Sequence, residues 1–429
     1  MRDKIINDLS SHIRINRSFL TWMALLTTLL GVCLYAYSIQ LQKGLGVTGL
    51  RDFVSWGMYI SNFVFFVATS LVGMLISAVL GLAGQRWITP IARLAEIISF
   101  AFAAVAGIVI VSDMGRPDRL LNVFIYARFQ SPILWDVTVV ITYTVICLLL
   151  WYIPLIPDLA IIKNRSDLPK WQKWMYNTLS ISWKGNDEQK KIQKKAISIL
   201  IILVIPVAMA IHTVTSWLFA VTPRGGWSST IFGPYFVTGA FVTGTSAVVV
   251  GMYIFRKIYK LENYFTDFHF NKVGQLLFLV SAVYLYFNIN EFLIPGYRMP
   301  KSEAHHLHEM FVGHHAVLFW SVQLLGLVIP MILVLIKPMR KPLPLFIIGL
   351  FVLIGSWFKR YIIVVPAQEH PFLPRQNVPD YFLVYTPTVI EIAVTIGSII
   401  MALMIISVLA KLFPLVPIEE TIHENNEKI

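Results

Sequence analysis

The chain has 429 residues, of which 57% are apolar, with 35 Lys and Arg against 23 Asp and Glu, and its mean hydropathy is +0.69. Charged residues make up 14%, against about 25% in a soluble domain, so the composition is that of a polytopic membrane protein and excludes a secreted domain, a soluble nucleotide-binding enzyme and a nucleic-acid binder. The net charge of +12 is therefore read as a report of orientation.

In chain order, a polar tail over 1–18 precedes apolar windows of about 20 residues, the length that crosses a hydrocarbon core. These lie near 19–40, 54–82, 91–112, 132–155, 195–222, 233–255, 272–295, 315–336, 343–366 and 387–413. No small-residue cleavage site follows the first window, so no targeting segment is expected to be removed. The fold predicted is an all-α integral membrane protein of about ten transmembrane helices, with one membrane domain over 19–413 and a C-terminal tail over 414–429. An even number of spans places both termini on one side. The basic residues gather there, Lys163, Arg165, Lys170, Lys173, Lys184, Lys190, Lys191, Lys194 and Lys195 in one connection alone. The positive-inside bias makes that side cytoplasmic. The connection at 156–194, with Trp171, Trp174 and Trp183, is expected to lie along the membrane surface.

Cys33 and Cys147 are the only cysteines, too few for an iron-sulfur cluster, and no Cys-x-x-Cys-His run offers c-type haem attachment. A b-type haem needs two facing histidines; only His212 lies well inside a span, with His315 at the start of the eighth as a second candidate. No tightly bound haem or cluster is expected in this chain. In the run Glu303–Glu309, followed by His314 and His315, His305 with His308, or His305 with Glu309, would share a helical face and could offer zinc ligands. The preferred reading is a polar connector that caps the eighth span.

Ionisable groups at membrane depth are costly and mark cavities or proton paths. They are Arg93 and Glu96 in the third span, Asp113 at its end, Asp136 opening the fourth, His212 in the fifth, Glu291 in the seventh, Lys359 and Arg360 in the ninth and Glu391 in the tenth. Following span direction, Asp113, Asp136, His212, Glu291 and Glu391, with Asn62, collect in the outer half. Glu96 sits in the inner half, three residues beyond Arg93, with which it could simply pair; Asp113 and Asp136 could likewise be helix caps. The asymmetry predicts a protonatable cavity opening outward, with Glu96, Ser99, Thr213 and Thr215 as candidates for a route inward.

The segments Asp113-Met-Gly-Arg-Pro117 and Ser131-Pro-Ile-Leu-Trp-Asp136 resemble hallmark runs of the NrfD-like, or polysulfide reductase membrane subunit, family. The likeness extends to Trp56–Asn62, to Ile211–Trp217 with Ser228–Tyr235, and to Trp357–Ile363 before Tyr385–Glu391, and so covers nearly the whole chain. It looks nearest to the ten-span branch found in alternative complex III and in the sulfite-reduction-associated and high-molecular-weight cytochrome complexes. The resemblance implies two four-helix bundles plus flanking helices, an exchangeable menaquinone or ubiquinone, and an iron-sulfur partner on the outer face of the inner membrane, with cytochrome and further membrane subunits. It implies Asp113 and Asp136 as quinone-proton groups; Asp113 stands where the alternative complex III branch has His. Asn62, Arg116, Trp135 and His212 would shape the pocket, Arg116 balancing the charge of Asp113, and Glu96, Glu291 and Glu391 would conduct protons. Two other readings stay open: a secondary transporter with helices broken at Pro206 and Pro330, and a structural anchor for redox subunits.

Overall fold

A computed structural model describes residues 2–165, 168–370 and 377–426. Ser166 and Asp167 of the basic connection and the last three residues of the C-terminal tail lie outside them. Ten helices are long and apolar enough to cross a membrane: α1 (Arg17–Lys43), α2 (Met58–Leu80), α3 (Thr89–Ser112), α4 (Pro132–Ile162), α5 (Asp187–Ala220), α6 (Phe232–Ile258), α7 (Asp267–Arg298), α8 (Ala316–Leu335), α9 (Pro342–Val364) and α10 (Val389–Leu412). Among the described residues there is no strand.

Helices α2 to α5 pack as one four-helix bundle and α6 to α9 as a second, joined where α2 lies on α6 and α9 and where α5 lies on α6. Helices α1 and α10 pair with each other, and α10 rests on α3. The short helices Arg2–Ser10 and Ile418–Asn426 pack together, so both termini share one face, called here the terminal face. The ends of α3, α5, α7 and α9 and the starts of α4, α6, α8 and α10 form the far face.

The connection at 156–194 is mostly helix. Helix α4 continues through Pro154 and Pro157 to Ile162. The carbonyl of Ile153, which Pro157 cannot bond, instead accepts the Gln193 amide at 2.9 Å. Helix α5 begins at Asp187 because the Asn186 side chain caps it, accepting from Gln189 N at 2.9 Å, and Asp187 and Glu188 suit its positive end. Between them, Lys170–Leu179 buries Gln172 and Tyr176, which donate to the carbonyls of Ile13 at 3.2 Å and Leu412 at 2.6 Å. Trp171 and Trp174 stay exposed.

Helix α2 changes winding partway. It is α-helical to Ser70 and π-helical over Met74–Leu80, because Ser99 of α3 inserts into its backbone ladder. The Ser99 hydroxyl accepts from Gly73 N at 2.7 Å and donates to the Ser70 carbonyl, which also takes the Tyr143 hydroxyl at 2.7 Å. A side chain entering the ladder is a recognised cause of such a bulge. Helix α8 carries a second π stretch, Leu324–Val328, directly before Pro330. There Gly326 meets Gly355 of α9 so closely that a Cβ would lie 2.8 Å from the Gly355 Cα. Pro206 leaves α5 unbroken.

Candidate functional site

The far face holds three groups of buried polar side chains. The first opens α4. Pro132 starts this helix, where its missing N–H costs nothing, and that start puts Asp136 in the second turn with only 4% of its surface exposed. Its Oδ1 accepts the Thr215 hydroxyl at 2.5 Å, and among the described residues no cation pairs with it. Thr215 lies three residues beyond His212 on α5, so the two share a helical face. The His212 Nδ1–H donates to the Ala208 carbonyl at 3.0 Å, which fixes the tautomer and leaves Nε2 an acceptor. Among the described residues that nitrogen is buried without a partner. Trp135 turns outward, donating to the Phe129 carbonyl at 2.6 Å and meeting Trp217 edge-on at 6.2 Å.

The second group surrounds the end of α3. Asp113 follows the last helical residue, and its Oδ1 is buried with no hydrogen-bond partner among the described residues. Burial, with the Glu391 charge adding to it, pushes the carboxyl up to about 7. Beside it, Gln40 donates to the Ser112 carbonyl at 2.7 Å and accepts from Tyr59 at 2.6 Å. Arg116 does not balance Asp113 as expected: it forks onto Asp118 at 2.9 and 2.8 Å on the exposed surface, two residues along the same turn. Asn62 ties three helices, donating to Ser398 at 2.7 Å and accepting from Trp357 at 3.2 Å.

Glu391 is an anchor in this geometry. It is the third residue of a capping box with Thr388, and it accepts from Gly49 N at 2.8 Å, Thr388 N at 2.8 Å and the Tyr385 hydroxyl at 2.6 Å. Tyr385 also accepts from Met58 N at 3.0 Å, so this carboxylate pins the starts of α2 and α10 together. A fully engaged carboxylate has little lone-pair capacity left for relaying protons. In the third group, Glu291 accepts from Ser229 at 2.8 Å and lies beside a cavity with Lys359.

Glu96 sits apart, toward the terminal face, on a cavity of about 290 Å³ shared with Ser77, Gln85, Arg93 and Glu420. The simple pairing of Glu96 with Arg93 gives way to another: Arg93 reaches Asp158 of α4 at 2.5 Å. Asp158 in turn accepts from Ile418 N at 3.0 Å and Glu419 N at 2.9 Å, at the start of the C-terminal helix. Asp158 escaped the reading of the sequence because the fourth window was closed at 155, short of Pro157.

The structure thus joins Asp136 to Thr215, three residues beyond His212 on α5, and sets Asp113 near Glu391, while Asp113 and Asp136 face different neighbours. Thr213 bonds back to the Met209 carbonyl at 2.8 Å, and Ser99 is engaged in the α2 ladder. His305, His306 and His308 lie on a helix, Lys301–Phe311, and His314 and His315 follow it before α8. Among the described residues no three His, Cys, Asp or Glu side chains are placed to hold a metal ion.

Comparison with known proteins gives these residues a context. A family described as Polysulphide reductase, NrfD, matches residues 46–371, a stretch that includes Asn62, Asp113, Asp136, His212 and Glu291. The chain is 29% identical to a protein assigned as a membrane component of a dimethyl sulfoxide reductase in Halobacterium salinarum, over 92% of this chain and 91% of that one. It is 26% identical to one of the subunits of the selenate reductase of Mesobacillus selenatarsenatis, covering 91% and 93%. It is 24% identical to an Hdr-like menaquinol oxidoreductase integral membrane subunit of Archaeoglobus fulgidus, covering 90% and 92%.

Proposed function

Because the chain belongs to the polysulphide reductase NrfD family, we propose that it is the quinone-reactive membrane subunit of a multi-subunit redox complex. Its similar proteins are subunits of reductase and menaquinol oxidoreductase complexes. The observation that carries the reading is Asp136: a carboxylate withdrawn from water and held by one hydroxyl, without a cation among the described residues. A quinol has two O–H donors; Asp136 offers one acceptor, and His212, three residues before Thr215 on α5, offers a second. Losing two electrons requires a quinol to lose two protons, and the carboxylate Oδ2 and His212 Nε2 are free to take them. Thr215 orients Asp136, and the Ala208 carbonyl holds the imidazole in the tautomer that accepts. Asp113 supplies a further proton acceptor at the same face. Electrons leave to, or arrive from, an iron-sulfur subunit docked on the far face, with menaquinone or ubiquinone as the membrane partner.

The terminal face, which carries the basic connection, is cytoplasmic in this reading, and the membrane is the inner one. Glu96 and its cavity serve proton movement from that side. The decisive test is Asp136→Asn in the assembled complex. Removing a base is expected to cost about 10²- to 10⁴-fold in quinol-dependent electron transfer while the subunits still co-purify. Undiminished turnover with the subunits assembled would overturn the assignment.

A further inference from the structure

The second bundle contains a buried lysine that the quinone reading does not use. Lys359 of α9 is 3% exposed, and among the described residues its Nζ has no hydrogen-bond partner. Aromatic faces surround the ammonium, Phe292 at 4.8 Å, Phe319 at 5.7 Å and Tyr235 at 5.8 Å. Such rings stabilise a cation without accepting its protons. The charged and titratable groups around it are Glu291 of α7, Arg360 on its own helix, and His306 of the connecting helix. Glu291 and Lys359 do not close on each other as a salt bridge; both line a cavity of about 30 Å³, room for two or three waters at about 10–15 Å³ each.

The same cavity is lined by Glu303 and His306. Glu303 accepts from Gly226 N at 2.9 Å, and Gly226 has φ +81°, a conformation that suits glycine and lets the loop close against His306. From there the imidazoles step outward. The His306 ring lies 6.2 Å from His370, and His370 lies 4.2 Å from His305, which is exposed. Among the described residues His306 Nδ1 and His370 Nε2 are both buried without partners. Burial, reinforced by the neighbouring imidazoles and Lys359, pulls His306 down to about 3, so it stands neutral at ordinary pH and can pass a proton from one nitrogen to the other. Inward of Lys359, Tyr235 donates to Asn288 at 3.0 Å and Asn288 to Gln323 at 2.6 Å.

We propose that the second bundle has its own proton inlet, in which His305, His370, His306 and Glu303 exchange protons between far-face water and the buried Glu291 and Lys359. A proton leaving water at His305 passes along the imidazoles and the cavity waters to the Glu291 carboxylate, making the neutral acid; the reverse returns it to water. No electron or other reactant is involved. The inference rests on the membrane placement of the chain and not on the quinone assignment.

Infrared difference spectroscopy of the full complex in lipid nanodiscs tests it, with bulk pH steps and exchange into D₂O as the probes. A carboxylic acid carbonyl band should follow bulk pH, shift promptly in D₂O and vanish in Glu291→Gln. In Glu303→Gln, and in His306→Gln, exchange of that band should slow by about 100-fold, with the band itself retained. A Glu291 band that ignores bulk pH, or exchange unaltered in both variants, would overturn the inlet. Asp136→Asn distinguishes the two readings, since it should suppress quinol turnover and leave the Glu291 band as it is.

Discussion

At the scale of single residues, the sequence marked Arg93, Glu96, Asp136 and Glu391, which the fold buries, but missed the buried Asp158 and most of the partners. Placing Asp113, Asp136 and His212 within one half of the membrane needed only span direction, and Thr388-x-x-Glu391 has the spacing of a capping box, whereas the loss of Arg116 to Asp118 and the capture of Glu391 by Gly49 and Tyr385 depend on turn geometry that no spacing rule reports. Asp113 offers a test with a definite sign. Its carboxyl stands at about 7 rather than 3.8 because it is buried near the Glu391 charge. Below that pH it is protonated and cannot accept a quinol proton, so quinol oxidation should rise as pH passes 7, and Asp113→Asn should remove that limb of the profile. For stability the sign is opposite. Between about 4 and 7 the folded chain holds a proton that the unfolded chain has released, so this group makes the fold less stable as pH rises through that interval. A rate profile identical in wild type and variant would remove Asp113 from the proton chemistry.

At the scale of elements, periodicity located ten apolar windows but not where polar ends become helix. The Asn186 cap and the Gln193 bond to the carbonyl freed by Pro157 extend α5 and α4 well beyond their apolar cores. That extension carries Asp158 to Arg93 and to the start of the C-terminal helix, joining α3, α4 and the chain end in one buried knot. Taking one partner from a buried ion pair leaves the other uncompensated and costs about 3–5 kcal/mol. Asp158→Ala should therefore lower thermal stability in detergent clearly, by several times the effect of a change at the exposed Arg116–Asp118 pair, which is expected to contribute about 0–1 kcal/mol. Equal melting temperatures for the two variants would show that the knot does not hold the elements together. The π stretch of α2 was likewise hidden from the sequence, because its cause, Ser99, belongs to another helix.

At the scale of the whole molecule, two bundles meet through α2, α5, α6 and α9, and the polar groups divide between them. Asp136 with His212 belongs to the first, and Glu291 with Lys359 to the second. The two-bundle arrangement came from resemblance to a family rather than from periodicity, since an apolar window says nothing about which neighbours it packs against. What charge counting does address is sidedness. The packing of the two terminal helices puts the tails and the basic connection on one face, and the positive-inside bias would hold that face in the cytoplasm. A membrane-impermeant maleimide can read this directly in intact cells. Cys33 and Cys147 are buried and should remain silent. Tyr297→Cys, at a position 91% exposed at the far-face end of α7, should label from outside. Lys190→Cys, exposed on the terminal face near the start of α5, should label only after the membrane is opened. The reverse pattern would turn the molecule over, moving Asp113, Asp136 and the histidine cluster to the cytoplasmic side and with them the docking face for any redox partner.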